Sequence, residues 1–140
     1  MFKKISKEDA IKKVVEFYKT SFENECRQIG IVFEKQKDAS AFLEEVKNEI
    51  WKTSEKAKIW NKKTIEKYNG KVRVLGIYTE NCRNPYRILS GRIIHNLFVD
   101  SKALEKHKEE IGNGVLCAQA CLNPENVENF EIESEIERGS

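Results

Sequence analysis

The chain has 140 residues, 39% of them hydrophobic and 34% charged, with a formal net charge of +2. That length suits one domain with one real core, and the composition excludes disordered and collagen-like classes. A charge this close to balance is too mild to imply nucleic acid, but it is unevenly placed: eight basic residues lie from Lys52 to Arg73, and six glutamates with no basic residue lie from Glu125 to Glu137. No apolar run approaches the about 20 residues of a membrane span, and Met1-Phe2-Lys3-Lys4 leads into a charged helix instead of a signal-peptide core. A cytoplasmic protein with no membrane partner is therefore expected. Cys26, Cys82, Cys117 and Cys121 are expected as free thiols, because a chain that can build a core does not need disulfides in a reducing compartment.

In chain order, Ser6 followed by Asp9 resembles a capping box, so a first helix starts there. Ile11, Val14, Val15, Tyr18, Phe22, Cys26 and Ile29 then share one arc of a helix that Gly30 would terminate. Ile31-Val32-Phe33 reads as a short extended piece. Asp38 or Ser40 can cap a second helix that runs to Tyr68, where Asn69-Gly70 supplies a left-handed stop. Trp51 and Ile59 fall outside its apolar arc. They either form the contact of a homo-oligomer or mark a kink near Ser54 or a helix end near Trp60.

After Asn69-Gly70 the apolar period changes from helical to alternating. Val72 to Glu80 and Tyr86 to Val99 read as a hairpin around residues 81–85. One face, with Leu75, Ile77, Leu89, Ile93 and Leu97, would lie on the helices. The other, with Val72, Val74, Tyr78, Ile88, Ser90 and Arg92, would stay open. Asp100 caps a short helix through Ile111. Val115 to Leu122 is apolar on both faces and reads as a buried strand, or as a short helix. Phe130 to Glu137 alternates with glutamates and reads as a half-buried strand whose acidic row discourages edge pairing.

The fold expected is α+β: two long N-terminal helices packed on a mainly antiparallel sheet of about four strands, with one short inserted helix. A single domain covers 1–140, with a helical part over about 6–68 and a sheet part over about 71–137.

Walker-type, G-x-G-x-x-G, H-E-x-x-H, C-x-x-C and G-x-S-x-G motifs are all missing from the sequence. His95 lies too far along the hairpin from Cys82 to serve it as a base, and Cys117 and Cys121 would hold zinc with a histidine only if they shared a helix face. No cofactor and no metal is expected. The ligand-binding candidates are Arg83, Asn84, Tyr86 and Arg87 at the loop, with Tyr78, Ser90 and Arg92 on the open face. Guanidinium groups suit phosphate or carboxylate, and an aromatic ring can stack on a base. A nucleic-acid alternative rests on Lys52, Lys56, Lys63 and Lys67, a lysine stripe if the second helix is continuous.

The function expected is non-catalytic binding or sequestering of an anionic ligand, of nucleotide or nucleic-acid type, or of a protein partner, as in a small intracellular inhibitor. The alternatives are a small enzyme with a Glu/Tyr/Arg site on the open face and a nucleic-acid binder using the lysine stripe.

Overall fold

A computed structural model describes residues 2–53, 56–61, 63–81, 89 and 91–133. Among these, β1 (Lys3–Ile5), β2 (Arg27–Phe33), β3 (Ile59–Trp60), β4 (Thr64–Lys67), β5 (Val72–Tyr78), β6 (Asn96–Asp100) and β7 (Glu128–Ile132) form one sheet in the order β1-β7-β6-β2-β5-β4-β3. The helices are α1 (Lys7–Thr20), α2 (Gln36–Trp51), α3 (Ser101–Lys106) and α4 (Lys108–Ala118), with a short 3-10 turn at Pro124–Asn126. No helix among the described residues is long and apolar enough to cross a membrane.

The mixture of helix and sheet agrees with the expected class, but its details differ. From β1 to β5 every neighbouring pair in the sheet is parallel, and only β4 and β3 run antiparallel. The helices lie on both faces. On one, α1 and α2 cover Ile29, Ile31, Val74, Phe98 and Phe130. On the other, α3 and α4 cover Val32, Ile77, Leu97 and Val99. Burial on both faces explains why Ile29 to Phe33 is apolar almost without interruption, as parallel strands require.

The first helix does begin at Ser6, whose Oγ accepts a hydrogen bond from the Asp9 amide at 3.1 Å. It stops at Thr20, however, well before Ile29. The Thr20 and Ser21 hydroxyls donate back to the Glu16 and Phe17 carbonyls, at 2.8 and 2.6 Å, and Ser21 is already extended. Cys26 and Ile29 shared the helical arc by coincidence of spacing. The second helix stops at Trp51, and the rest of its expected length folds as two strands. Asn61, with φ of 52°, turns β3 into β4, and Tyr68, Asn69 and Gly70, all at positive φ, turn β4 into β5. Asn-Gly therefore closes a hairpin here instead of a helix. The lysine stripe fails for the same reason: Lys52 follows α2, Lys56 precedes β3, Lys63 sits in the β3–β4 turn and Lys67 ends β4.

The expected hairpin between 72–80 and 86–99 is replaced as well. β5 and β6 never touch; each pairs in parallel with β2, which lies between them. The face taken as open is core, with Val72 and Val74 fully buried under the first pair of helices. At Gly76 an added Cβ would stand 2.9 Å from Leu43 Cδ1, so α2 lies directly on the strand. Val115 is in α4, not in a strand, and Gly112 lies within that helix without stopping it. β7 is an interior strand between β6 and β1, and Glu128 pairs with Lys3 at 3.1 Å, so its glutamates do not guard an edge. Residues 134–140 lie outside the described part.

Candidate functional site

Two regions hold polar chemistry that the core does not explain. The first is the carboxyl end of β2, β5 and β6, where the chain leaves β2 for α2 on one face of the sheet and β6 for α3 on the other. Crevices at such a switch point are the usual ligand sites of open α/β sheets. Here Glu34 pairs with Lys106 at 3.3 Å, and Glu80 Oε2 accepts the Gln36 amide at the start of α2, at 3.2 Å. Both carboxylates are thus engaged in holding loops together. The buried hydroxyls of Thr79 and Ser101 have no hydrogen-bond partner among the described residues. Asp100 stands at the start of α3, and burial raises its pKa above the usual carboxylate value. Asp38 adds to the rise, while the Lys102 and Ala103 amides and the Lys102 ammonium oppose it. The Asp100 and Asp38 carboxyl groups bring negative charge to this crevice, with the Lys102 ammonium beside them.

The second region lies at the opposite side of the sheet, around the β3 edge. Trp51 closes α2 at 53% exposure, and its indole Nε1 donates to the Ala57 carbonyl at 2.7 Å, which fixes the ring. Trp60, 48% exposed on β3, has the Lys58 ammonium 4.3 Å from its ring centroid. Both tryptophans line one open hollow of about 570 Å3 together with Lys47, Lys56, Lys58 and Ile59. Its two carboxylates are already paired, Glu44 with Lys47 at 2.8 Å and Glu66 with Arg73 at 3.2 Å. A hollow of this size falls in the range of small-ligand sites.

The expected residues distribute unevenly over these regions. Arg83, Asn84, Tyr86, Arg87 and Ser90 lie outside the described residues, as does Cys82. Tyr78 is half-buried beside Phe33 at the carboxyl end of β2. Arg92 is exposed just before His95, whose amide bonds to the Gln28 carbonyl at the other end of that strand. Gln28 and Phe33 are five residues apart, about 16 Å at about 3.3 Å per residue, so Tyr78 and Arg92 do not share a site. Of the lysines, Lys56 reaches the tryptophan hollow. Trp51 and Ile59 do too, and Ile59 also packs against the core. Trp60 and Lys58 were the residues missed. Their signal was present in the sequence, since an aromatic flanked by lysines is a usual stacking composition, but it was absorbed into a helix that does not exist.

Cys26, Cys117 and Cys121 are exposed and form no disulfide among the described residues, against the expectation of a buried strand at Val115 to Leu122. Among the described residues no three His, Cys, Asp or Glu side chains converge as a metal would need. His95 is placed as a neutral acceptor. Its Nδ1 takes the Gln28 amide at 3.1 Å, and its pKa is lowered by burial and by Arg27, against a smaller opposing effect of Glu25. His107 is half-buried at the junction of α3 and α4. No known protein family matches the chain, and no curated protein matches it.

Proposed function

We propose that the protein is a non-catalytic binder of nucleotide-type anionic ligands, with the base stacked in the tryptophan hollow and the phosphate held by its lysines. One observation carries this reading: the two tryptophans of the chain both line a single hollow with Lys47, Lys56 and Lys58. An indole offers a flat apolar face to any base, and ammonium groups at its rim supply the countercharge. The reading keeps the expected ligand class and moves it from the loop at residues 81–85 to the sheet edge. Assembly of a Glu/Tyr/Arg catalytic site is not supported, because Tyr78 and Arg92 stand at opposite ends of β2.

Intrinsic fluorescence tests the proposal directly, since both fluorophores are in the hollow. Titration with thymidine monophosphate and with a short oligodeoxythymidylate should give saturable quenching. Stacking is worth about 1–3 kcal/mol per base, so Trp60→Ala should weaken binding by about tenfold or more. Normal affinity in Trp60→Ala, or no quenching by either probe, would refute it. Self-association through Trp51 would compete for the same hollow, and light scattering on the same samples reports it.

A further inference from the structure

The hollow beneath the tryptophans does not end at Trp60. A second open hollow, of about 290 Å3, shares Trp60 and Glu66 with the first and continues past Thr64 to Arg73 and Leu75. The sheet register explains this continuity. Thr64 pairs with Trp60 on one side and with Leu75 on the other, and Glu66 pairs with Arg73, so their side chains share one face. Ile65 and Val74 point the other way into the core. The second pair of helices covers the sheet on that side through Ile77, Val32, Leu97 and Val99, leaving Glu66 half-buried and Arg73 exposed.

We infer that the ligand is a single-stranded nucleic acid, not a mononucleotide, and that it runs from the Trp51–Trp60 hollow across the outer face of β4 and β5 to Arg73. The inference rests on the nucleotide-binding reading and adds the length and path of the ligand. From Trp60 to Arg73 is two strand spacings across and two residues along, about 12 Å. Stacked bases repeat at about 3.4 Å, so a strand continuing from a base on Trp60 passes along the shared hollow to the Arg73 guanidinium. Aromatic and cation alternate along this path: Trp51, Lys56, Lys58, Trp60, then Arg73. That sequence of platforms and charges is how strands are held without base readout. The Glu66–Arg73 pair is partly exposed, so a phosphate can replace the carboxylate on the guanidinium, for which it is a matching bidentate partner.

The test compares thymidine monophosphate with oligodeoxythymidylate of about eight nucleotides, a usual single-strand site size. Binding is read by tryptophan fluorescence and, for the oligomer, by anisotropy of a labelled strand. The oligomer should bind at least tenfold more tightly. Arg73→Ala should weaken the oligomer about fivefold or more, leave the mononucleotide unchanged, and flatten the salt dependence by about 0.7 in log-log slope for the lost phosphate contact. Glu66→Gln, which frees Arg73 and removes a repelling charge, should tighten the oligomer. Equal affinity for the two probes, an oligomer indifferent to Arg73→Ala, or weakening by Glu66→Gln overturns the inference while nucleotide binding stands. Quenching by neither probe overturns both. A dimer mass in light scattering that Trp60→Ala abolishes, with no quenching, assigns the hollow to a second copy of the chain and also overturns both.

Discussion

The parallel strands and the antiparallel strands of this sheet meet at β5 and obey different rules. β2 and β6 are sheathed by helices on both faces, and almost every side chain they carry is buried. β3 and β4 turn Ile59 and Ile65 to the first pair of helices and leave Trp60, Thr64 and Glu66 on the other face, beside Arg73 of β5. The core half holds Asn129 in a closed internal pair: Gln119 and Asn129 exchange amide hydrogen bonds at 2.7 and 3.0 Å, and the Leu97 amide donates to Asn129 at 3.3 Å. The edge half holds its polar groups at a surface, in ion pairs that a ligand can exchange. One region is therefore expected to respond to substitution through stability, the other through binding.

The largest effect that separates them is a core truncation set against an edge truncation. Phe98 on β6 is fully buried, stacked on Phe130 at 4.8 Å and tilted against Phe17 at 6.3 Å. Phe98→Ala should cost about 3–5 kcal/mol in urea unfolding. Trp51→Ala, despite removing a larger side chain, should cost far less, mainly its bond to the Ala57 carbonyl, at about 0.5–1.5 kcal/mol. Equal costs would show that Trp51 behaves as core, and the contrast between the regions would fail.

A smaller effect tests the closed polar pair. Asn129→Ala leaves the Gln119 amide and the Leu97 N–H without their partner in a buried place, and should cost about 1–3 kcal/mol by the same measurement. Lys3→Ala, which breaks an exposed ion pair with Glu128, should cost less than about 1 kcal/mol. If the two substitutions cost the same, internal satisfaction is not what distinguishes the parallel half.

The smallest effects are in pH, and the two perturbed groups have opposite signs. His95 has a lowered pKa in the fold, so as pH falls the unfolded chain takes its proton first, near about 6.5. Its contribution is full above that value and is lost as pH falls through the lower native value; His95→Gln should flatten that decline. Asp100 has a raised pKa, so its contribution is full below about 3.9 and lost as pH rises through the native value. Asp100→Asn should raise Tm at pH 7 and bring no gain in strong acid, which differential scanning calorimetry at the two conditions would show. A loss of stability at pH 7 would mean that the charged carboxylate does structural duty at the strand ends.

Much of the core was legible in the sequence, and much of the order was not. Ser6 announced its helix because capping is local, and Val14, Tyr18, Phe42, Leu43 and Val46 were recognisable by period. The strand order was invisible: Ile29 and Leu97 sit on adjacent parallel strands 68 positions apart, and no local pattern encodes such a pairing. Residues 52–68 were misread because two short strands can share spacings with a helix over a few turns, and because Asn69-Gly70 serves equally as helix stop and hairpin turn. The tryptophan hollow was half legible for the same reason. Trp51 stood out as lying off the apolar arc and Lys56 as part of a lysine stripe, but only the reversal at Asn61 brings Trp60 and Lys58 back beside them.

The pairing of β1 with β7 sets an order in time as well as in space. Lys3 and Glu128 are 125 positions apart, so at about 5–20 residues per second the first strand waits on the order of ten seconds on the ribosome for the strand it joins. The central strand has no such delay, because α2 and β5 follow it closely along the chain. All of the residues that line the tryptophan hollow lie between Glu44 and Glu66, so they are synthesised before β6 and β7 exist. The surface proposed for binding thus belongs to the early, local part of the fold, and the far edge of the sheet is the last to close.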